Sequence, residues 1–259
     1  MELSKRNGLA DVTLAILVAI ACYSCAPGIS TLNPLNTSWL QGLDPMQHYL
    51  GWAFFRFSPW AIPPGLNPNF GLEIGSSIVY SDSIPIAAFI FKPFHSILPE
   101  PFQYLGLWTL SSLFFQAFIA IKICSLITKD LLIKAIFAVF ITSSPILIHR
   151  IGLHTALSSH FLILAVIYLV ISKKNSYALY LSLAIFSLLI HFYLFAIVLF
   201  ILLFHYMDRL LIQKNLKDTR FIGELIGLGI TSLLIFYLAG YLSIPIGSGA
   251  TDVGYGFSK

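Results

Sequence analysis

Apolar residues fall in long runs separated by short polar segments, the pattern of membrane-spanning helices. The runs cover 9–26, 102–127, 131–148, 155–172, 177–206 and 221–244. A span needs about 20 apolar residues to cross a hydrocarbon core of about 30 Å. The run 177–206 would be about 45 Å long as one helix, so we predict a break near His191 and two short helices, 177–190 and 192–206. The chain is therefore predicted to be an all-α polytopic membrane protein with about seven transmembrane helices.

Composition and charge support this class. Hydrophobic residues make up 58% of the 259 residues and charged residues 10%, whereas soluble domains carry about 25% charged residues. This balance excludes a water-soluble enzyme, and a net charge of +4 gives no reason to expect a nucleic-acid partner. We interpret the first run, preceded by Lys5 and Arg6, as an uncleaved signal-anchor.

The distribution of basic residues predicts the orientation. With seven spans and a cytoplasmic N-terminus, the outer side has only Arg56, Lys92, Arg150 and Lys259 of the 15 Lys and Arg residues. An excess of Lys and Arg marks cytoplasmic loops. The large first loop and the C-terminus are therefore expected on the outer side.

We treat residues 1–259 as one transmembrane domain, with 28–101 as the first outer loop and 245–259 as an outer tail. Asp44-Pro45 favours a helix start, because Asp suits the N-cap and Pro the first turn. We expect this helix to reach about Phe57 and to lie along the membrane surface. The apolar stretch 84–94 is too short to cross, so it is expected to be interfacial or re-entrant.

Ionisable residues gather on the predicted outer side. Because such groups are costly beside lipid, those in or near spans usually face a bundle interior or a wet cavity. We therefore expect an outward-opening cavity under the first loop. The candidate residues are Asp44, His48, Arg56, Glu73, Asp82, Arg150, His154, His160 and His191.

Three of these residues are candidates for catalysis. Asp44 could act as general base or metal ligand, or it could simply cap the helix. His48 lies four residues on, hence on the same helical face. Asp82 could be a second acid or a turn former, and Glu73, in a Gly-rich turn, could contact substrate.

The basic candidates favour a phosphate ligand. Arg150 and His154 are one turn apart if a helix continues through both, and Arg offers paired donors to phosphate. Arg56 could assist. The alternative for Arg150 and His154 is snorkelling to lipid headgroups. His160 is expected two turns deep, in the cavity or hydrogen-bonded between helices. No metal-ligand motif is present.

Three segments carry a resemblance to a known family: GLDPMQHYLGWAFFRFSPWAIPPGLNPNFG, SSIVYSDSIPIAAFIFKP and RIGLHTALSSHFLIL. They resemble an uncharacterised family of bacterial multi-pass membrane proteins. The whole architecture is similar to the GT-C superfamily of membrane glycosyltransferases. The resemblance implies a bacterial inner-membrane enzyme that transfers a sugar from a polyprenyl-phosphate carrier to a glycan or lipid acceptor at the periplasmic face. It implies that Asp44 is the base or metal ligand.

Two departures from that superfamily leave alternatives open. Asp44 has no second acid two residues away, so a divalent metal is possible but not assigned. The chain stops after the seventh predicted span, where many relatives continue, and truncation before further segments is one interpretation. A transporter or flippase of lipid-linked sugars, and a non-catalytic membrane scaffold, are the competing functions.

Overall fold

The protein is described here by a computed structural model covering residues 2–71, 75–211 and 219–243. Helices dominate these residues. They are α1 (Glu2–Cys25), α2 (Leu43–Phe57), α3 (Pro85–Phe91), α4 (Leu105–Cys124), α5 (Leu131–Thr142), α6 (Pro145–Leu153), α7 (Phe161–Ile171), α8 (Tyr177–Leu188), α9 (Phe192–Leu211) and α10 (Thr219–Leu238).

Shorter elements occupy the connections. Two short strands, β1 (Leu66–Asn67) and β2 (Ser76–Ser77), pair antiparallel with Leu66 opposite Ser77. The remaining short elements are 3-10 helices at Ile29–Leu32, Ser38–Leu40, Ile78–Ser81, Lys92–Phe94 and Thr155–Ser158.

Four helices in the described residues are long and apolar enough to cross a membrane. They are Gly8–Cys25, Leu105–Cys124, Phe192–Leu210 and Phe221–Leu238. A fifth span results if α5 and α6, which meet at a bend of 47°, count as one. Thr155–Ile171 and Tyr177–Leu188 are apolar but shorter. The chain is thus a mostly helical protein with four to five helices suited to a membrane, against the seven that the sequence predicts.

Breaks between helices follow from local chemistry. The predicted run 131–148 is interrupted because Pro145 occupies the first turn of α6, where its missing N–H and its effect on Ser144 end the preceding helix. The break expected near His191 is confirmed: α8 ends at Leu188 and α9 begins at Phe192. The second helix is not short, because α9 continues to Leu211 over 20 residues. The helix expected to end near Phe57 is present as α2, but its N-cap is Gly42, so Asp44 lies within the first turn and the prediction that it caps the helix is wrong.

The segment between α1 and α4 is packed into the helical core. Trp52 and Phe55 of α2 are buried in the same apolar cluster as side chains from α7 to α10. The backbone N–H of Gly65 donates to the carbonyl of Leu238 at 3.0 Å, and Ser77 Oγ donates to the carbonyl of Ala239 at 3.1 Å. These contacts hold the segment against the C-terminal end of α10.

A second apolar cluster joins α1 and α4 to α5 and α6. Small residues on the facing sides of α1 and α4, among them Ala15, Ala19, Ala117 and Ala120, are buried there. Small side chains let two helices approach closely, which is how membrane helices gain packing energy.

Candidate functional site

Helix α2 presents Asp44 and His48 on one face. The chain enters the helix through Gly42, whose φ of 111° suits a residue without a Cβ. Asp44 lies in the first turn, and its side chain is 42% exposed. His48, one turn later, is 1% exposed. The acid therefore reaches solvent while the histidine is enclosed.

The loop before α3 brings Asp82 to the same place. Asp82 has a left-handed backbone with φ 50°, a conformation that Asp tolerates better than most residues. The next residue, Ser83, donates its hydroxyl to the carbonyl of His48 at 2.6 Å. A Cβ on Gly51 would lie 2.0 Å from Ser81 Oγ, so only glycine lets α2 pack this closely on the loop.

His154 connects these two elements to the segment after α6. The helix ends at Leu153, and His154 has φ −131° and ψ 80°, so the helix that the sequence suggested through Arg150 and His154 stops before the histidine. Nε2 of His154 lies 2.8 Å from Asp44 Oδ2. The rings of His154 and His48 are 5.6 Å apart between centroids.

His191, in the break between α8 and α9, holds Asp82. Its Nδ1 accepts a hydrogen bond from the backbone N–H of Tyr193 at 3.1 Å. In the neutral imidazole the other nitrogen then carries the proton. That nitrogen, Nε2, lies 3.2 Å from Asp82 Oδ1 and donates to it. The unwound residues between α8 and α9 thereby orient a carboxylate on the first loop.

Burial and pairing set the charges in this cluster. Burial lowers the pKa of His48 to about 4, although Asp82 and Asp44 act in the opposite direction. Burial raises the pKa of Asp82, but the hydrogen bond with His191 and the electrostatic interactions with His191, His48 and His154 together lower it more, so the net pKa falls below its usual value. At neutral pH the cluster therefore contains a neutral His48 and an ionised Asp82.

The cluster opens into a cavity of about 630 Å³, within the size range of small-molecule sites. Its polar walls come from Asp82, Arg150, His154 and His191. The other lining residues are mostly aromatic or aliphatic: Val79, Tyr80, Leu157, Phe192, Tyr193, Phe236 and Tyr241. This lining suits a ligand with an anionic part and a flat or apolar part.

One subset of the cluster has the composition of a metal site. His48, Asp82 and His154 each offer one ligand atom, and these atoms all lie within 4.8 Å of one another. The sequence does not predict this set of ligands, because the three residues come from three distant segments and have none of the short spacings that mark metal-ligand motifs. Tyr193 and Tyr241 also come from distant segments, so no pattern in the sequence indicates that both line the cavity.

Two candidates, Arg56 and His160, lie outside the lining of this cavity. Arg56 is 4% exposed, and its guanidinium donates to the backbone carbonyls of Pro99 and His95, each at 2.8 Å, and of Leu98. His160 immediately precedes α7 instead of lying two turns inside a helix. Neither residue belongs to the described lining of the cavity. Glu73, like the tail at 245–259, falls outside the described residues.

The fold and the site define a class: a multi-helix membrane protein with a cavity of polar and aromatic lining, to which the segment between its first two long helices contributes Val79, Tyr80 and Asp82. The chain belongs to the family described as a domain of unknown function, DUF6311, which it matches over residues 15–259. No curated protein and no solved structure matches the chain.

Proposed function

We propose that the protein is a membrane glycosyltransferase that moves a sugar from a polyprenyl-phosphate carrier to a glycan or lipid acceptor at the periplasmic face of the bacterial inner membrane. The observation that carries this proposal is the cavity that Asp82, Arg150, His154 and His191 share. It combines acidic, basic and aromatic groups beside helices suited to a membrane.

The donor phosphate would bind at Arg150. A guanidinium offers two parallel N–H donors to one phosphate, and such charge-assisted bonds are about twice as strong as neutral ones. Phe192 and Phe236 line the same cavity and belong to α9 and α10, two of the helices long enough to span. A prenyl chain leaving the cavity along these helices would remain in an apolar surrounding.

The sugar would lie against the aromatic lining. Tyr80, Tyr193 and Tyr241 each combine a flat apolar ring with a hydroxyl, so they can pack on the C–H face of a sugar and hydrogen-bond its rim. Such a lining, with a small number of polar groups at fixed positions, is typical of small-molecule sites.

Asp44 would be the general base. One of its oxygens lies 2.8 Å from Nε2 of His154, a contact that orients the carboxylate, and the side chain remains accessible. The acceptor oxygen attacks C1 of the sugar from the face opposite the phosphate and gives its proton to Asp44. The bond between C1 and the phosphate oxygen breaks, and that oxygen keeps the electron pair. Arg150 stabilises the charge that grows on the phosphate.

The topology that goes with this proposal has seven spans and a cytoplasmic N-terminus. Thr155–Ile171 and Tyr177–Leu188 would be the two short spans, added to four long helices and the bent pair of α5 and α6. The segment between α1 and α4 and the site would then lie on the periplasmic side.

Native mass spectrometry of the detergent-purified protein tests the proposal. The protein is mixed with a panel of polyprenyl-phosphate sugars, and wild type is compared with Arg150→Ala and with His149→Ala, a change at an exposed residue of α6. We expect wild type and His149→Ala to bind a carrier and to release prenyl phosphate when acceptor lipids are added. Binding without release would favour a transporter, and equal binding by Arg150→Ala would remove the phosphate site.

A further inference from the structure

The strongest unassigned feature is the group of three side chains that meet where α2, the loop before α3 and the segment after α6 converge. We propose that His48, Asp82 and His154 bind a divalent transition-metal ion, and that Zn²⁺ fits this donor set best. Their ligand atoms lie within 4.8 Å of one another. In a tetrahedral site with bonds of about 2.1 Å, ligand atoms are about 3.4 Å apart, so side-chain movements on the order of 1 Å would close the group around an ion.

Two ring nitrogens of these histidines have no hydrogen-bond partner in the described part of the chain. Nδ1 of His48 and Nδ1 of His154 are both buried and have no hydrogen-bond partner there. His48 as a whole is 1% exposed, so water from bulk solvent does not reach it freely. Burying a polar atom without a partner is unfavourable, and such atoms are rare in native proteins. A shared ion would satisfy both nitrogens at once.

The surrounding hydrogen bonds are those expected around metal ligands. Nε2 of His154 lies 2.8 Å from the carboxylate of Asp44, so in the neutral imidazole the proton belongs on Nε2 and a lone pair is left on Nδ1. A carboxylate on the remote nitrogen is the usual partner of a metal-binding histidine. Asp82 uses Oδ1 for His191, which leaves Oδ2 for the ion.

The donor set selects the kind of ion. Two imidazole nitrogens and one carboxylate oxygen suit Zn²⁺ and its first-row neighbours, whereas Mg²⁺ and Ca²⁺ prefer oxygen ligands. Three protein ligands also leave a position open, as in catalytic zinc sites. Because Asp82 and His154 line the cavity, the open position would face it.

The metal site stands on this geometry alone. A role for the ion in catalysis is a separate inference that rests on the proposed function. A phosphate oxygen of the donor, bound beside Arg150, would coordinate the ion, and the ion would act as a Lewis acid when the sugar leaves.

Cobalt binding tests the site directly, because Co²⁺ replaces Zn²⁺ and has visible absorption bands that report its coordination. The full-length protein is purified in detergent, stripped with a chelator and titrated with Co²⁺. We expect about one Co²⁺ per chain, visible absorption bands typical of Co²⁺ with a low coordination number, and displacement of the bound Co²⁺ by Zn²⁺. Elemental analysis of protein purified without chelator should find a matching first-row metal.

Variants locate the ion. His48→Gln, Asp82→Asn and His154→Gln should each weaken Co²⁺ binding at least 100-fold, and Asp44→Asn, which removes only the partner of His154, about 10-fold to 100-fold. His149→Gln and His95→Gln change exposed histidines outside the group and should bind as wild type. If one ligand variant does not fold, the other two and the Asp44→Asn variant still decide the question.

Two results would overturn the site: wild type that takes up no stoichiometric Co²⁺ or Zn²⁺, or uptake unchanged in the ligand variants. Ordered water bridging the two histidines would then be the explanation. Metal binding without any discharge of a carrier would support the metal site and contradict the proposed transferase. Sugar transfer by protein that binds no metal would support the transferase and contradict the metal site.

Discussion

Nε2 of His154 lies 2.8 Å from the carboxylate of Asp44, and this contact joins α2 to the segment after α6. The sequence predicts separate roles for the two residues, base for Asp44 and phosphate ligand for His154. In the fold they form one pair, and both adjoin His48. A change at either residue is therefore expected to affect the other.

The first prediction concerns Asp44. Asp44→Asn removes the proton acceptor while keeping the size of the side chain, so the rate of sugar transfer should fall about 10²-fold to 10⁴-fold. Because the side chain is 42% exposed, thermal stability should change little. The measurement is the initial rate of carrier discharge together with the melting temperature. An unaffected rate would show that Asp44 is not the base.

Arg150 should act on donor binding. Arg150→Gln removes a charge-assisted bond to the phosphate that is worth about 1.5–3 kcal/mol, so the donor should bind about 10-fold to 100-fold more weakly. Titration of a labelled carrier into detergent-purified protein measures the effect, with His149→Gln as the matched control in α6. Equal affinities for the two variants would contradict a phosphate site at Arg150.

Arg56 should behave in the opposite way. Its buried guanidinium donates to three backbone carbonyls between residues 95 and 99, so Arg56→Gln leaves buried acceptors unpaired and should lower the free energy of unfolding by about 3 kcal/mol or more. At a temperature where the variant is folded, donor affinity should match wild type. If the Arg56→Gln variant were as stable as wild type but bound the donor more weakly, Arg56 would be a donor-binding residue and this prediction would be wrong.

An ionic cluster among α1, α4 and α5 offers a stability test. Asp11 of α1 contacts Lys122 at 2.9 Å and Lys134 at 3.0 Å, and Asp11 and Lys134 are almost fully buried. Asp11→Asn leaves Lys134 with an uncompensated charge and should cost about 3–5 kcal/mol.

The double variant Asp11→Asn/Lys134→Gln is the control for that prediction. Because both partners are then neutral, its loss of stability should be clearly smaller than the sum of the two single losses. Additive losses, measured by thermal unfolding in the same detergent, would show that the contact contributes nothing.

The sequence predicts the helices well where an apolar run is as long as one membrane span or longer. The run 177–206 exceeds one membrane thickness, and a break near His191 is what the structure has. The run 131–148 has the length of a single span, so its length does not predict the bend between α5 and α6, although Pro145 is a local signal for a helix break. The count of spans stays a prediction for the short helices α7 and α8.

For the site, the sequence identifies residue types but not partners. Asp44, His48 and Asp82 come together as expected, because costly polar groups collect where they can pair. That His191 orients Asp82, or that His48 and His154 share a buried space, depends on how distant segments pack. Arg56 shows the same limit: a basic residue in the first loop bonds backbone carbonyls, and no local pattern distinguishes this from a phosphate ligand.

The most direct test of sugar transfer measures bond cleavage and transport in the same vesicles. Proteoliposomes of wild type receive a polyprenyl-phosphate sugar labelled in the sugar, with acceptor lipid present, and the label is followed by chemical form and by membrane side. The account predicts that label leaves the carrier and joins the acceptor, and that Asp44→Asn abolishes this while still binding the carrier. Label that crosses the membrane on an intact carrier, at equal rates in both proteins, would contradict it.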